Sequence, residues 1–206
     1  MMGPVIVAIA LSYLLGSVPI GYLYARTRGV DLRSIGSGNT GATNVYRAFG
    51  KAPAITIFWL DAGKGLVAAA LLARLGGGWE YTAILCGLAA IAGSVASIFM
   101  KLKGGKGVAT AVGVFLGLAT IPTVICLGIW GVLFAAFRYV SLGSVVATAA
   151  LPLLIWLFGR EGYRGSPVFY FALLVALMVV ITHRSNIERL MAGTENRIGK
   201  APKETR

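Results

Sequence analysis

Long uncharged stretches dominate the pattern of hydrophobic and polar positions along this chain. A helix needs about 20 mostly apolar residues to cross the hydrocarbon core of a bilayer. Five stretches come near that length: residues 4–25, 52–73, 81–100, 139–159 and 165–182. The second stretch is interrupted only by Asp61 and Lys64. The pattern therefore predicts an all-helical membrane protein with several spans.

A longer uncharged stretch, residues 108–137, could form one long helix or two short ones. One helix of about 30 residues would be about 45 Å long, and two halves would each be about 22 Å, against a core of about 30 Å. Pro122, flanked by Thr120 and Thr123, offers a tight turn. Proline is also tolerated inside membrane helices, so length leaves both arrangements open.

Basic residues favour a turn at Pro122, because cytoplasmic segments of membrane proteins carry an excess of Lys and Arg. With the turn, the chain crosses seven times and fifteen basic residues face inward against three outward; without it, the division is ten against eight. The inward set is Arg26, Arg28, Arg33, Arg47, Lys51, Lys101, Lys103, Lys106, Arg138, Arg184, Arg189, Arg197, Lys200, Lys203 and Arg206, and the outward set is Arg74, Arg160 and Arg164. We therefore predict one domain, residues 1–206, of seven transmembrane helices with the N-terminus outside and the C-terminus cytoplasmic.

Composition agrees with a bilayer environment. Hydrophobic residues make up 57% of the 206 residues and charged residues 13%, too few polar side chains to cover a water-soluble globule. The net charge of +12 raises nucleic acid as a partner, but the basic residues lie between apolar stretches, where membrane lipid or phosphate is the expected partner. Cys86 and Cys126 lack CxxC spacing, so we predict simple packing, with no metal site, disulfide or cofactor.

The first polar block, residues 36–47, reads GSGNTGATNVYR. It contains GxGxxG, but a dinucleotide site needs a preceding strand, and here a predicted transmembrane helix precedes it. Glycines still allow backbone N–H groups to approach an anion, and the Ser, Asn and Thr side chains add hydrogen bonds. An anion site and an ordinary turn between helices both remain open.

The second polar block, residues 103–110, reads KGGKGVAT and stands where a predicted span begins. A Walker A loop would need glycine five positions before Gly105, where Met100 stands. A glycine-rich helix N-terminus still presents N–H groups and the positive end of the helix dipole to a phosphate, and Lys106 adds a full charge. A basic anchor at the membrane surface is the alternative.

Two further sets of ionisable residues each have two interpretations. Residues 183–195, HRSNIERLMAGTE, include the one histidine, and His183 stands at a predicted helix end, where it either caps the helix or acts in catalysis. Its spacing to Glu188 is like the His-x4-Asp pair of another acyltransferase superfamily, but Glu replaces Asp. Asp61 and Lys64 share one helix face, as a functional pair or a structural ion pair.

Together, the strings SGNTGATNVYR, KGGKGVAT and HRSNIERLMAGTE resemble the three signature motifs of the bacterial acyl-phosphate glycerol-3-phosphate acyltransferase family. The resemblance covers nearly the whole chain, including LDAGKG at residues 60–65 and RYVSLGS at residues 138–144. There is one departure. The family usually has Gly-His-x-x-Pro before the second motif, and this chain has GSVAS at residues 93–97, so any role of that histidine is absent.

The resemblance implies transfer of a fatty acyl group from acyl phosphate to the sn-1 hydroxyl of glycerol 3-phosphate, at the cytoplasmic face of the bacterial inner membrane. It also implies a functional link to the enzyme that makes acyl phosphate. Carried over residue by residue, it assigns catalysis to Ser37, Lys106, His183 and Asn186. It assigns substrate binding to Gly38, Asn39, Thr43, Asn44, Arg47, Gly104, Gly105, Ser144, Arg184 and Glu195, and Glu195 is also expected to pair with a basic residue.

Two functions outside enzymology compete with this hypothesis. A transporter for a phosphate-bearing anion would also use charges and broken spans, but its site would lie near the midplane between repeats, and no repeat is visible. A structural protein with lipid-binding loops would not need so many Ser, Asn and Thr residues. An acyltransferase remains the favoured function.

The predicted topology is tested by labelling single cysteines in a background without Cys86 and Cys126. Because the seven-span arrangement puts all three motifs inside, cysteines at Ser37, Gly105 and Ser185 should be shielded from an impermeant reagent in intact cells. Labelling of the Ser185→Cys variant alone from outside would instead establish six spans.

Overall fold

The computed structural model describes residues 2–77, 80–158 and 165–199. Secondary structure within these ranges is helical, without strands, which confirms the predicted all-α fold. The α-helices are α1 Gly3–Ser17, α2 Ile20–Thr27, α3 Ala42–Phe49, α4 Lys51–Ala70, α5 Glu80–Val95, α6 Val108–Leu118, α7 Thr120–Phe137, α8 Val140–Phe158, α9 Pro167–Thr182 and α10 Arg184–Met191. Short 3-10 turns cover Leu32–Ser34, Leu72–Gly76 and Ile98–Met100.

In the described ranges, five helical segments are long and apolar enough to cross a membrane. They are Gly3–Thr27, Lys51–Gly76, Tyr81–Met100, Thr120–Phe137 and Val140–Phe158. A sixth forms if α9 and α10, which are bent by 61°, count as one span. Parts of the predictions lie outside the described residues, namely Gly159, Arg160, Arg164, Lys200, Lys203 and Arg206.

The stretch 108–137 is broken into two helices, as predicted, but three residues before the expected turn. Ala119 separates α6 from α7, and Pro122 lies in the first turn of α7. A proline costs nothing there, because N–H groups in a first helical turn have no intrahelical partner. At 11 residues, α6 is about 16 Å long and shorter than the hydrocarbon core. The count of seven spans and their orientation therefore stay predictions.

The chain divides into two compact units, Met1–Thr120 and Ile121–Arg206. In the first unit α1 packs against α5, and α4 packs against both α3 and α6. In the second unit α8 packs against α9 and α10. Cys86 and Cys126 are buried and not linked to each other, as predicted for packing residues.

Glycines allow α4 and α6 to approach until their backbones touch. A Cβ placed on Gly65 would collide with the carbonyl oxygen of Thr110, and one on Gly113 would collide with that of Ala62. Close packing of this kind drives helix association in membranes, where burial of apolar surface adds little. The short helix α6 is thereby fixed against α4, and so is its N-terminus, which follows the second polar block.

We expect Gly65→Ala to destabilise the protein by about 1 to 3 kcal/mol, because the added methyl overpacks a backbone contact. Gly63→Ala is the matched control, since a Cβ on Gly63 in the same helix would meet nothing within 4 Å. Alanine there should be neutral or stabilising by up to about 1 kcal/mol. Thermal unfolding in detergent measures both, and equal shifts for the two variants would contradict the close approach.

Candidate active site

The loop of the first motif is organised by the side-chain amide of Asn44. Its Oδ1 accepts a hydrogen bond from the backbone N–H of Ser37 (3.1 Å). Its Nδ2 donates to the carbonyl oxygens of Leu32 (2.9 Å) and Ile35 (3.0 Å), so the loop backbone uses both amide hydrogens. Asn44 is buried and shapes the loop that carries Ser37, and substrate binding by Asn44 stays a prediction.

Two glycines permit the path of this loop. Gly36 and Gly38 have left-handed backbones, with φ of 57° and 69°, which glycine adopts without steric cost. A Cβ on Gly36 would also collide with Oδ1 of Asn44 and would lie 3.4 Å from Cδ of Arg47. The Arg47 side chain therefore runs beside the loop.

An ion pair fixes the turn that precedes the loop. Arg33 donates from Nε (3.0 Å) and Nη2 (2.7 Å) to the two carboxylate oxygens of Asp31, and its backbone N–H donates to the same carboxylate (3.0 Å). These hydrogen bonds lower the pKa of Asp31 from 3.8 to about 2. The pair is therefore ionised throughout the neutral and mildly acidic range.

The loop of the second motif is held by the backbone at the end of α5. The N–H groups of Gly104 and Gly105 donate to the carbonyl oxygens of Val95 (2.9 Å) and Ser94 (2.8 Å), respectively. A Cβ on Gly104 would collide with the Ser94 carbonyl oxygen, so glycine is required there. Ser94 stands at the family's usual histidine position, and it makes this contact through its backbone, which any residue could supply.

The second motif ends at the start of α6. Gly107 caps that helix with a left-handed backbone, φ 75°, and the half-buried Lys106 comes immediately before it. N–H groups in the first turn lack intrahelical acceptors, and the helix dipole adds positive potential. A lysine beside such a terminus suits a phosphate group.

The two motif loops are neighbours within the first unit. A Cβ on Gly105 would lie 3.7 Å from Oδ1 of Asn39 and 3.8 Å from Oγ1 of Thr40. Oδ1 of Asn39 accepts from the N–H of Gly41 (2.9 Å), a turn that leads into α3. Two glycine-rich loops that the sequence predicts separately as anion sites thus meet in space.

In the second unit, His183 occupies the bend between α9 and α10. It is buried, and its Nδ1 lies 2.9 Å from the carbonyl oxygen of Val179. Because a carbonyl only accepts, Nδ1 carries the hydrogen of this contact. The His183 backbone carbonyl also accepts from the N–H of Asn186 (2.8 Å). These contacts support the capping interpretation, and catalysis by His183 stays a prediction.

Glu195 gathers three side chains of the second unit. Its Oε1 accepts from Oγ of Ser141 (2.8 Å) and Nδ2 of Asn186 (2.7 Å). Its Oε2 accepts from Nε of Arg189 (2.7 Å) in an ion pair, which confirms the expected basic partner. The carboxylate therefore ties α8, α10 and the segment after α10 together.

The hydrogen bonds decide the ionisation of Glu195. Burial raises the pKa of this carboxyl, but the hydrogen bonds from Asn186, Ser141 and Arg189 outweigh burial, and its pKa lies below the ordinary 4.5. Glu195 is therefore an anion that orders the third motif. Direct substrate binding by Glu195 stays a prediction.

The predicted catalytic residues divide between the two units. Ser37 and Lys106 belong to the first unit, and His183 and Asn186 belong to the second. Of the remaining predicted residues, Ser144 is buried and donates to the Val140 carbonyl oxygen of its own helix (2.9 Å). Thr43 is half-buried, and Ser37 and Arg184 are exposed.

Asp61 and Lys64 form an ion pair of 2.7 Å, and both side chains are largely buried. Nζ of Lys64 also donates to the carbonyl oxygens of Gly16 (3.2 Å) and Val18 (2.7 Å). These contacts support the structural interpretation of the pair.

The contacts of Ser141 and Arg189 with Glu195 were not predicted from the sequence. Ser141 lies in the RYVSLGS string of the resemblance, and that string is the one signal that could have found it. Its hydrogen bond joins residues 54 positions apart, a separation that no local pattern encodes.

Comparison with known proteins places this chain in a family. The sequence model of the family described as glycerol-3-phosphate acyltransferase matches residues 6–193. A glycerol-3-phosphate acyltransferase of Parasynechococcus marenigrum is 50% identical over 93% of this chain and 89% of its own length. One from Geobacter sulfurreducens is 45% identical over 91% of this chain and 94% of its own length.

Comparison with solved structures gives the same family. PlsY, an integral membrane glycerol 3-phosphate acyltransferase, has been crystallised in a glycerol 3-phosphate form and a lysophosphatidic acid form. The former is 37% identical with a TM-score of 0.88, the latter 36% identical with a TM-score of 0.86, and each comparison covers 96% of both chains.

The fold and its apolar helices define an integral membrane protein. The chain belongs to the glycerol-3-phosphate acyltransferase family and is a membrane acyltransferase of lipid biosynthesis. The resemblance drawn from the three motifs is thereby confirmed.

Glu195→Gln should destabilise the protein by about 2 kcal/mol at pH 7, because three donors lose an ionised acceptor. The pKa of Glu195 is lower in the folded state than its ordinary value of 4.5. The stability that its ionised carboxylate contributes is therefore complete above pH 4.5 and is lost as the pH falls through the lower folded-state pKa. The stability gap between wild type and variant should therefore shrink below about pH 4.5.

Thermal unfolding as a function of pH measures this gap. Glu188→Gln is the matched control, since Glu188 is an exposed carboxyl on the neighbouring helix α10. A gap for Glu195→Gln that is absent at pH 7, or that widens on acidification, would contradict the role of the carboxylate.

Proposed function

We propose that this protein transfers a fatty acyl group from acyl phosphate to the sn-1 hydroxyl of glycerol 3-phosphate, giving lysophosphatidic acid and inorganic phosphate. The glycerol 3-phosphate and lysophosphatidic acid forms of the solved relative support the acceptor and the product. The resemblance of the three motifs to acyl-phosphate enzymes supports the donor. The reaction would be the first acylation of phospholipid synthesis and would depend on the enzyme that supplies acyl phosphate.

One observation carries the proposal: the two glycine-rich loops meet in space beside the N-terminus of α6. Both proposed substrates carry a phosphate, and two anions repel each other unless positive charge holds them together. Lys106 and the N–H groups of the first turn supply that charge at one loop, and Arg47 runs beside the other. Adjacent anion sites suit a reaction that joins two phosphate-bearing molecules.

We place this site at the cytoplasmic face of the bacterial inner membrane. The asymmetry of fifteen inner against three outer basic residues supports that orientation. In this topology the short helix α6 is one of seven membrane-inserted helices, with the N-terminus outside and the C-terminus inside.

Direct transfer without an acyl-enzyme follows from the donor's chemistry. Acyl phosphate is an activated mixed anhydride, so a protein nucleophile would gain little. The sn-1 hydroxyl attacks the acyl carbon, the bond from that carbon to the phosphate oxygen breaks, and the hydroxyl proton passes to a phosphate oxygen. Lys106 and Arg47 hold the two anions in position and stabilise the charge that develops.

The remaining motif residues would orient the substrates. Ser37, Asn39 and Thr43 offer hydrogen bonds from the first loop, as the family resemblance implies. His183 would orient a substrate oxygen by hydrogen bonding without acting as a base. Asn186 is itself oriented by Glu195, which takes one amide hydrogen and leaves the amide oxygen in a set direction.

Purified protein assayed with acyl phosphate and labelled glycerol 3-phosphate, with acyl-CoA in parallel, tests the donor. Lysophosphatidic acid should form from acyl phosphate and not from acyl-CoA, and the reverse preference would reject the proposal. Protein incubated with acyl phosphate alone should remain unacylated in mass spectrometry, and a covalent acyl adduct would refute direct transfer.

Alanine at Lys106 or Arg47 should lower kcat/KM by at least about 30-fold, equivalent to about 2 kcal/mol, the loss expected for a charge-assisted contact to phosphate. Lys103→Ala and Lys51→Ala are the matched controls, because both lysines are exposed. Steady-state kinetics and thermal unfolding separate lost binding from lost folding. Activity within about twofold of wild type in both test variants would remove these residues from the site.

A further inference from the structure

The break between α1 and α2 leaves backbone carbonyls without their usual helical partners. Pro19 has no N–H to donate. The N–H of Ile20, which would pair with Gly16 in a continuous helix, donates instead to the carbonyl oxygen of Val18 (3.1 Å). In a membrane protein such carbonyls need partners from elsewhere in the chain, because lipid supplies none.

Side chains from α4 and from the segment after α5 pair three consecutive carbonyls at this break. Lys64 of α4 donates from Nζ to the oxygens of Gly16 (3.2 Å) and Val18 (2.7 Å). Ser97, just beyond α5, donates from Oγ to the oxygen of Ser17 between them (2.6 Å). The break is thus a junction at which α1, α4 and the end of α5 are fastened to one another.

Asp61 completes the surroundings of the Lys64 ammonium at 2.7 Å. An ammonium has three N–H donors, and the two carbonyls and this carboxylate account for all three. A buried lysine needs such a counter-charge and full hydrogen bonding to be tolerated. The ammonium group of Lys64 is therefore held in one defined position.

Both motif loops are connected to this junction through short segments of the chain. Beyond the break, α2 leads into the loop of the first motif. Ser97 closely follows Ser94 and Val95, the residues whose carbonyls hold the second loop, and Tyr13 of α1 bonds the Ala96 carbonyl between them (2.8 Å). The contacts at the break therefore bear on the position of each loop relative to the other.

We propose that Lys64, together with Asp61 and Ser97, is a positioning group for substrate binding that sets the spacing of the two glycine-rich loops. This inference rests on the proposed function, in which those loops bind the substrate phosphates. Lys64 acts through the backbone at the break and contacts no reacting group.

The test variant is Lys64→Met combined with Asp61→Leu. It removes the Lys64 hydrogen bonds to the carbonyls at the break without leaving an unpaired buried carboxylate. KM for glycerol 3-phosphate should rise about tenfold, with kcat within about threefold of wild type, because misplaced loops weaken phosphate binding. Spin labels on cysteines placed at the exposed Ser34 and Lys103 should show a broader distance distribution in this variant. Leu66→Met, on an exposed position of the same helix, is the control and should change neither readout.

The distance measurement needs no substrate, so it decides this inference even if wild-type protein fails to use acyl phosphate and the proposed function falls. Ser97→Ala serves as a second variant if the double substitution prevents folding, because it unpairs one carbonyl and no charge. It should raise KM for glycerol 3-phosphate by about threefold and should also broaden the distance distribution. An unchanged distance distribution, or a KM within twofold of wild type, in the folded variant would overturn the proposal.

Discussion

Every backbone carbonyl and amide within a bilayer must be paired inside the protein, and this constraint decides where helices of this chain can break. The break at Pro19 is possible because Lys64 and Ser97 supply donors to the carbonyls that it exposes. The bend at His183 meets the same requirement, since the ring and the backbone N–H both donate to Val179. Polar residues that would be costly in an unbroken helix are concentrated at these breaks.

Another helix start lies beside the glycine-rich loops. A helix that begins afresh exposes N–H groups, and α6 does so directly after Lys106. Glycine at position 104 allows the preceding loop to lie against the end of α5, where a Cβ would strike the Ser94 carbonyl oxygen, and the next residue, Gly105, lies beside Asn39 of the first motif. A helix N-terminus, lysine and arginine are groups that can supply positive charge to a phosphate.

Most of the helices could be predicted from sequence, because the length of an uncharged stretch reports directly on membrane insertion. The exact break in residues 108–137 could not, since proline is tolerated in a first helical turn and Ala119 carries no turn signal. The three motifs identified the family. Their internal contacts were not predictable, because the amide of Asn44 could equally face a ligand or the loop backbone until the loop's path was known.

Long-range polar contacts also could not be predicted from the sequence. Lys64 was correctly placed on one helix face with Asp61, but its carbonyl acceptors lie 46 and 48 positions away. Glu195 was expected to have a basic partner, which Arg189 is, whereas its contact with Ser141 depends on how α8 and α10 pack. Local patterns identify residue types suited to a site, and tertiary packing decides which of them bind substrate and which support the loops.

A structure of this protein crystallised with glycerol 3-phosphate tests the role of the two glycine-rich loops most directly. The substrate phosphate should lie within about 3.5 Å of Nζ of Lys106 or of the guanidinium of Arg47, the range of a charge-assisted hydrogen bond. A phosphate bound instead at the exposed Arg26 and Arg28, and out of reach of both Lys106 and Arg47, would contradict the proposed site.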